Sequence, residues 1–277
     1  MGILAGQQNV CAVARVEMSD VIVLKEGAHS PLGPSSAERW LNCGAGCGQG
    51  QTEYAAEGTC MHTLSEWVRE TGKPVETWKG ALLQSGEFQF KVGKSMMDAV
   101  RTFVDSVEKL PGVPLVEERV SYEELVPGGF GTLDDARLHG DVAVITDFKG
   151  GKGVQVSAKA NSQLRLYDLG VFFKYDWIYK FKKFVNRISQ PRRGVVAEEE
   201  VEEISTGHLL QWGYDVVRPR AEALLSGRLR DQYKAGPWCK FCGKKNDCST
   251  RAAYKVQYER SPEAPEDAFV DLNSEIA

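Results

Sequence analysis

The residue pattern specifies an α/β fold: a central mixed β-sheet flanked by helices. Three observations carry that expectation. Apolar residues recur at helical spacing from Tyr54 to Glu70, through Ala55, Ala56, Met61, Leu64, Trp67 and Val68. The period then shortens to two across LVEERVSYEEL, GGFGTLDDARL and VAVITDFK, which read as three strands. Helical spacing returns over 158–175, and FVNRISQP reads as a further strand. Helix, three strands, helix, strand, helix is the order of one α/β domain with a mixed sheet, and no internal repeat interrupts it.

The elements follow in order. Residues 1–29 carry little pattern and read as an N-terminal arm. Ser35 or Ser36 offers an N-cap for a short helix through Glu38 and Arg39. The Gly/Gln-rich stretch 44–52 reads as a loop. A second amphipathic helix fits 91–110 and stops at Pro111. TGHLLQWGYDVV begins a long C-terminal helix that Pro219 restarts or kinks. The domain is expected over 30–254, with 255–277 as an acidic, disordered tail.

Composition narrows the class. The 277 residues carry a net charge of −4 and are 42% hydrophobic and 26% charged, as in ordinary globular domains. No apolar run approaches the ~18–20 residues that span a bilayer, so no membrane partner is expected. The N-terminus lacks a basic region followed by an apolar one, which points to the cytoplasm. Seven cysteines, three of them within 239–248, argue against a disulfide framework and for metal or cluster chemistry. Charge is uneven. From Lys149 to Arg193 eleven basic residues face only Asp168 and Asp176, a local charge of +9 against −13 elsewhere. An acidic run (Glu198, Glu199, Glu200, Glu202, Glu203) follows at once. A basic field of this kind attracts polyanions. Aromatic residues interleave with the lysines in VFFKYDWIYKFKKF. Most of these rings are expected in the core, with some lysines adding to a DNA-facing field.

The most informative segment is GTLDDARLHGDVAVITDFKGGKG. Gly140-Asp141 suits a two-residue hairpin loop. In that register Asp134 lies opposite Asp147, with Cβ atoms ~5 Å apart, and alternation brings Lys149 to the same face. Two carboxylates so close repel unless a cation neutralises them, and oxygen ligands favour Mg²⁺ or Mn²⁺. Asp135 faces away. His62 and Glu66 share a helix face at i and i+4, and the imidazole can donate to the same ion. Gln163 and Tyr167 repeat that spacing and can hold the lysine or a nucleic-acid backbone. Cys239, Cys242 and Cys248 form a C-x₂-C-x₅-C run that needs a fourth ligand: Cys43, with Cys47 in reserve. Four thiolates suit a [4Fe–4S] cluster or structural Zn²⁺. Cys11 and Cys60 read as ordinary thiols, Cys60 packed.

Taken together, EGTCMH (57–62), GTLD (131–134), DFK (147–149) and QLRLY (163–167) resemble the RecB-type nuclease domain of the PD-(D/E)xK superfamily, most nearly its small phage-borne members. SSAERWLNC, YAAEGT and ISQPR strengthen the resemblance, which runs from about Ser30 to Ala252. It implies a restriction-endonuclease-like core and a metal-dependent deoxyribonuclease, an exonuclease serving recombination, repair or DNA processing. It assigns His62, Asp134, Asp147 and the Phe148 carbonyl as metal ligands and Asp134, Asp147 and Lys149 as catalytic residues. Gln163 and Tyr167 match the family's DNA-binding element, and Lys152 beside them joins it. A distant N-terminal cysteine with C-x₂-C-x₅-C resembles the iron–sulfur-stapled branch, where a [4Fe–4S] cluster pins the two chain ends together in a helical region. DNA is the implied partner, with a phage single-strand annealing or binding protein as companion in the host bacterial cytoplasm. A protein that keeps the fold but binds DNA without cutting is the alternative.

Overall fold

Chain order explains how the layers assemble in the computed structural model, which describes residues 21–24, 30–45, 52–194 and 201–259. Strand β1 (Val21–Val23) pairs parallel with β2 (Leu82–Ser85), and β2 pairs antiparallel with β3 (Phe88–Lys91). Between them come a short helix α1 (Ala37–Asn42) and a long one, α2 (Glu53–Thr71). The Thr52 hydroxyl accepts from the Ala55 N–H to open α2. Gly72, at φ 63°, closes it in the left-handed conformation that glycine adopts most readily. Helix α3 (Lys94–Glu108) buries Met96, Met97, Val100, Phe103 and Val107 along one face.

The central sheet is β4 (Val113–Ser121), β5 (Phe130–His139), β6 (Val142–Phe148), β7 (Lys183–Ser189) and β8 (Val201–Ser205), hydrogen-bonded in that order. All neighbours are antiparallel except β6 and β7. A parallel pair needs a crossover, and α4 (Ser162–Tyr179) supplies it. The Asn161 side chain caps α4 by accepting from the N–H groups of Gln163 and Leu164. The β5–β6 register is the one the loop residues specify, with Asp135 opposite Thr146 and Leu138 opposite Ala143. Gly140 turns the hairpin at φ 59°.

After β8 the chain forms α5 (Thr206–Trp212), a π-helical turn (Gly213–Val217), α6 (Arg218–Leu225) and finally α7 (Ser249–Glu259). Proline lacks the N–H that an uninterrupted helix would require, and the π turn lies directly before Pro219.

The architecture is a mixed α/β arrangement with an open five-stranded mixed sheet flanked by helices. Apolar residues gather in two clusters. One joins the sheet to α4, α1 and the α5–α6 region; the other joins α2, α3, β2 and Phe148. Inside the first, Asp168 is fully buried and accepts from Asn186 Nδ2 at 2.7 Å. Burial pushes its carboxyl well above the usual range. Asp168 Oδ1 and Asn186 Oδ1 are buried without a hydrogen-bond partner.

Three sequence expectations are corrected, and one further strand is found. The arm over 1–29 contains β1, whose N–H and C=O groups pair with β2. The helix expected over 91–110 begins only at Lys94, because 82–91 form a hairpin. Strand β8 emerges from the acidic run, where charged residues hide the strand pattern. The segment read as a tail from 255 is helical through Glu259; residues 260–277 lie outside the described residues.

Candidate metal centre

Four elements converge on one pocket. Helix α2 presents His62, β4 presents Glu117, β5 presents Asp134, and the end of β6 presents Asp147 and Phe148. His62 Nδ1 lies 3.1 Å from Asp134 Oδ1 and 3.9 Å from Glu117 Oε1. One donor atom from each of these three residues lies within 4.8 Å of the others. The other Asp134 oxygen accepts from the Phe148 N–H at 2.6 Å, which ties β5 to the end of β6. Asp134 and Asp147 are almost fully buried, whereas the His62 side chain keeps 30% of its surface exposed.

The lysine and the amide complete the arrangement. Lys149 Nζ lies 2.9 Å from Asp147 Oδ2 and donates to Gln163 Oε1 at 3.1 Å. Gln163 Nε2 contacts Asp147 Oδ1 at 2.9 Å and the Tyr167 hydroxyl at 3.2 Å. The i, i+4 pair on α4 thus holds the lysine and the second aspartate. Asp135 faces away and is fully buried. Lys152 is exposed in the loop between β6 and α4.

Electrostatics mark the pocket as short of positive charge. Burial would lower the His62 imidazole, but Asp134, with Glu117 and Asp147, raises it to about 9. Burial and the Asp134 carboxylate push Glu117 up to about 8. Burial also raises Asp147, against the pull of Lys149. Burial would lower Lys149, but Asp147 outweighs it and keeps the ammonium form. Glu117 Oε1 is buried without a hydrogen-bond partner. Three carboxylates, one of them with an orphaned oxygen, and an imidazole fit a divalent cation with hard oxygen ligands.

Glu117 was not singled out by the sequence. Its neighbours pair in regular register, Val116 with Asp135 and Glu118 with Leu133, which places Glu117 across from Asp134. Its backbone, however, takes φ 46°, a left-handed value that a non-glycine residue adopts at a cost of ~1–3 kcal/mol. The only sequence signal was the charged pair Glu117-Glu118, which breaks the alternation of the strand.

A second cluster gathers sulfur. Cys43, Cys239, Cys242 and Cys248 line one cavity, from the end of α1, the 3₁₀ turn Pro237–Phe241 and the start of α7. All four are free thiols. Burial raises the Cys239 thiol, and the other three cysteines add to the effect. Arg39, Lys234, Lys244, Lys245 and Arg251 line the same cavity, and Arg39 Nε is buried without a partner. Cationic walls around four thiols fit an anionic four-thiolate centre. Cys60 is fully buried on α2, while the reserve ligand Cys47 and Cys11 lie outside the described residues.

The family model described as "Protein of unknown function (DUF2800)" matches residues 29–274. The chain belongs to the DUF2800 family. The matched span takes in every residue of both clusters, so the pocket and the four thiols lie within the DUF2800 region itself. No described helix of this DUF2800 protein is long and apolar enough to cross a membrane.

Proposed function

We propose that this DUF2800 protein is a metal-dependent deoxyribonuclease of the PD-(D/E)xK type, an exonuclease akin to RecB-type phage enzymes. The observation that carries the reading is the pocket itself: His62, Glu117 and Asp134 donors within 4.8 Å, beside an Asp147–Lys149 pair at 2.9 Å. The order helix, three antiparallel strands, crossover helix and parallel strand supports the restriction-endonuclease-like core. His62, Asp134, Asp147 and the Phe148 carbonyl would hold Mg²⁺ or Mn²⁺, with Glu117 as a further ligand. When bound, such an ion lowers the pKa of its water and offsets charge on the phosphate.

The residues of the chain do the rest. Asp134 takes the Phe148 N–H and so fixes the end of β6 beside itself. Lys149 is held as an ammonium by Asp147 and aimed by Gln163. In that state it has no lone pair to accept a proton, so its role is to orient water and to steady a phosphate oxygen. Tyr167 braces Gln163, and the exposed Lys152 contacts the strand outside the pocket. The four cysteines would hold a [4Fe–4S] cluster, or structural Zn²⁺, which staples α1 to the C-terminal segment.

The test is digestion of linear, circular and end-blocked DNA by anaerobically purified protein with Mg²⁺ or Mn²⁺. Loss of linear DNA with circular DNA spared is expected. Binding without cleavage in either metal overturns the nuclease and leaves a DNA-binding protein.

A further inference from the structure

We propose that Arg69 is the positioning residue of this centre, a buried clamp that locks the helix carrying His62 to the strand carrying Asp134. The role rests on the metal reading above. His62 and Arg69 stand seven residues apart on α2, about two turns, and so share a face. The Arg69 side chain is only 4% exposed. Its guanidinium reaches three acceptors on two other elements. NH1 donates to the Asp134 backbone carbonyl at 3.3 Å, NH2 to Asp135 Oδ1 at 2.5 Å and Nε to Glu108 Oε1 at 3.1 Å. Arg137 closes the network, with Nε 3.2 Å from Asp135 and NH2 2.8 Å from Glu108.

The clamp answers a problem that the packing poses. Around His62, α2 contributes Cys60, Met61 and Leu64 to the cluster shared with α3 and β2. Around Asp134, β5 contributes Leu133 and Ala136 to the cluster shared with α4. The imidazole and the carboxylate thus come from elements packed in different apolar cores, joined at the site by Phe148, whose ring packs on His62 and whose N–H donates to Asp134. Arg69 adds a direct side-chain tie from α2 to β5, because it holds the backbone of Asp134 and the side chain of the next residue. The planar guanidinium spreads five donors over a fixed fork and so reaches acceptors on separate elements, whereas the three donors of a lysine radiate from a single nitrogen. Groups that orient metal ligands typically change metal affinity by ~10–100-fold when removed.

Mn²⁺ affinity of the full-length protein, followed by EPR of the free ion without DNA, tests the proposal. Arg69→Lys is expected to bind Mn²⁺ ~10–100-fold more weakly than wild type at a temperature where circular dichroism shows both folded. Millimolar guanidinium is expected to restore part of the affinity of Arg69→Ala. A purely structural arginine would lower the melting temperature and leave the affinity within twofold, and that result overturns the clamp. Should Arg69→Lys fail to fold, Glu108→Ala removes the acceptor of Arg69 Nε and is expected to weaken Mn²⁺ severalfold; unchanged affinity there also overturns it. Wild-type protein that binds no Mn²⁺ overturns the metal reading itself, a result distinct from equal binding by wild type and variant.

Discussion

Asp147 and Lys149 differ from a surface ion pair in two respects: the carboxylate is buried, and a glutamine amide grips both partners. Lys149→Ala and Asp134→Asn are therefore expected to lose ~10²–10³-fold in Mn²⁺-dependent cleavage, measured with end-labelled DNA, while circular dichroism stays unchanged. The pocket also sets a pH dependence. His62 and Glu117 titrate at about 9 and about 8 in the folded chain, above their ordinary values of 6.5 and 4.5. Folding of the metal-free protein thus takes up protons, and this stabilisation, full below the ordinary values of 4.5 and 6.5, declines as pH rises and is lost once pH has passed about 8 to 9. The melting temperature of metal-free protein is expected to fall across that range, and Mn²⁺, which displaces those protons, is expected to reverse the fall. His62→Ala should flatten the profile. At this scale the sequence was legible where a turn fixes register. Gly140-Asp141 places Asp134 against the end of β6, and the chain follows. Glu117 was hidden because its positive φ departs from the strand geometry on which alternation depends.

Elements with strong periodicity were readable, and short paired ones were not. Helices α2 and α4 and strands β5 to β7 fall where their patterns place them. The β2–β3 hairpin carries no such signal, because each of its strands is only four residues long, and the helical spacing that begins at 91 takes in its last residue, Lys91. Between β6 and the helices, Phe148 matters most. It is fully buried, and its ring stacks on Phe103 with centroids 4.5 Å apart. Phe148→Ala is expected to cost ~3–5 kcal/mol in urea unfolding. Because its N–H is held by Asp134, the same variant should also weaken Mn²⁺ binding.

Across the whole molecule, folding redistributes the charge that the sequence displays. The +9 segment is partly neutralised once β8 brings Glu202 to Arg165 and Glu203 to Lys183, while Glu118 takes Lys174 and Glu57 takes Arg192. Composition could not show this, because the partners come from distant elements. If the binding track meets five phosphates, log K should fall with log[salt] at a slope of roughly −4 to −5 on duplex DNA, read from filter binding by Asp134→Asn. The cysteine cluster is the other long-range meeting point, since it brings the end of α1 beside the start of α7. Cys239→Ser is expected to lose bound metal and to expose both ends to limited proteolysis; iron with sulfide identifies a cluster, and stoichiometric zinc a structural ion. The run Cys239, Cys242 and Cys248 and its need for a distant fourth thiol were legible in the sequence, whereas the cationic walls around the cluster were not.

Everything at these three scales turns on a cation seated where α2, β4, β5 and β6 meet. Anomalous diffraction at the manganese edge, from crystals grown with Mn²⁺, probes that seat directly. We expect a peak among His62, Glu117 and Asp134, beside Asp147. A map with no peak there, while the ion is found elsewhere or nowhere in the molecule, would refute the metal centre and the nuclease built on it.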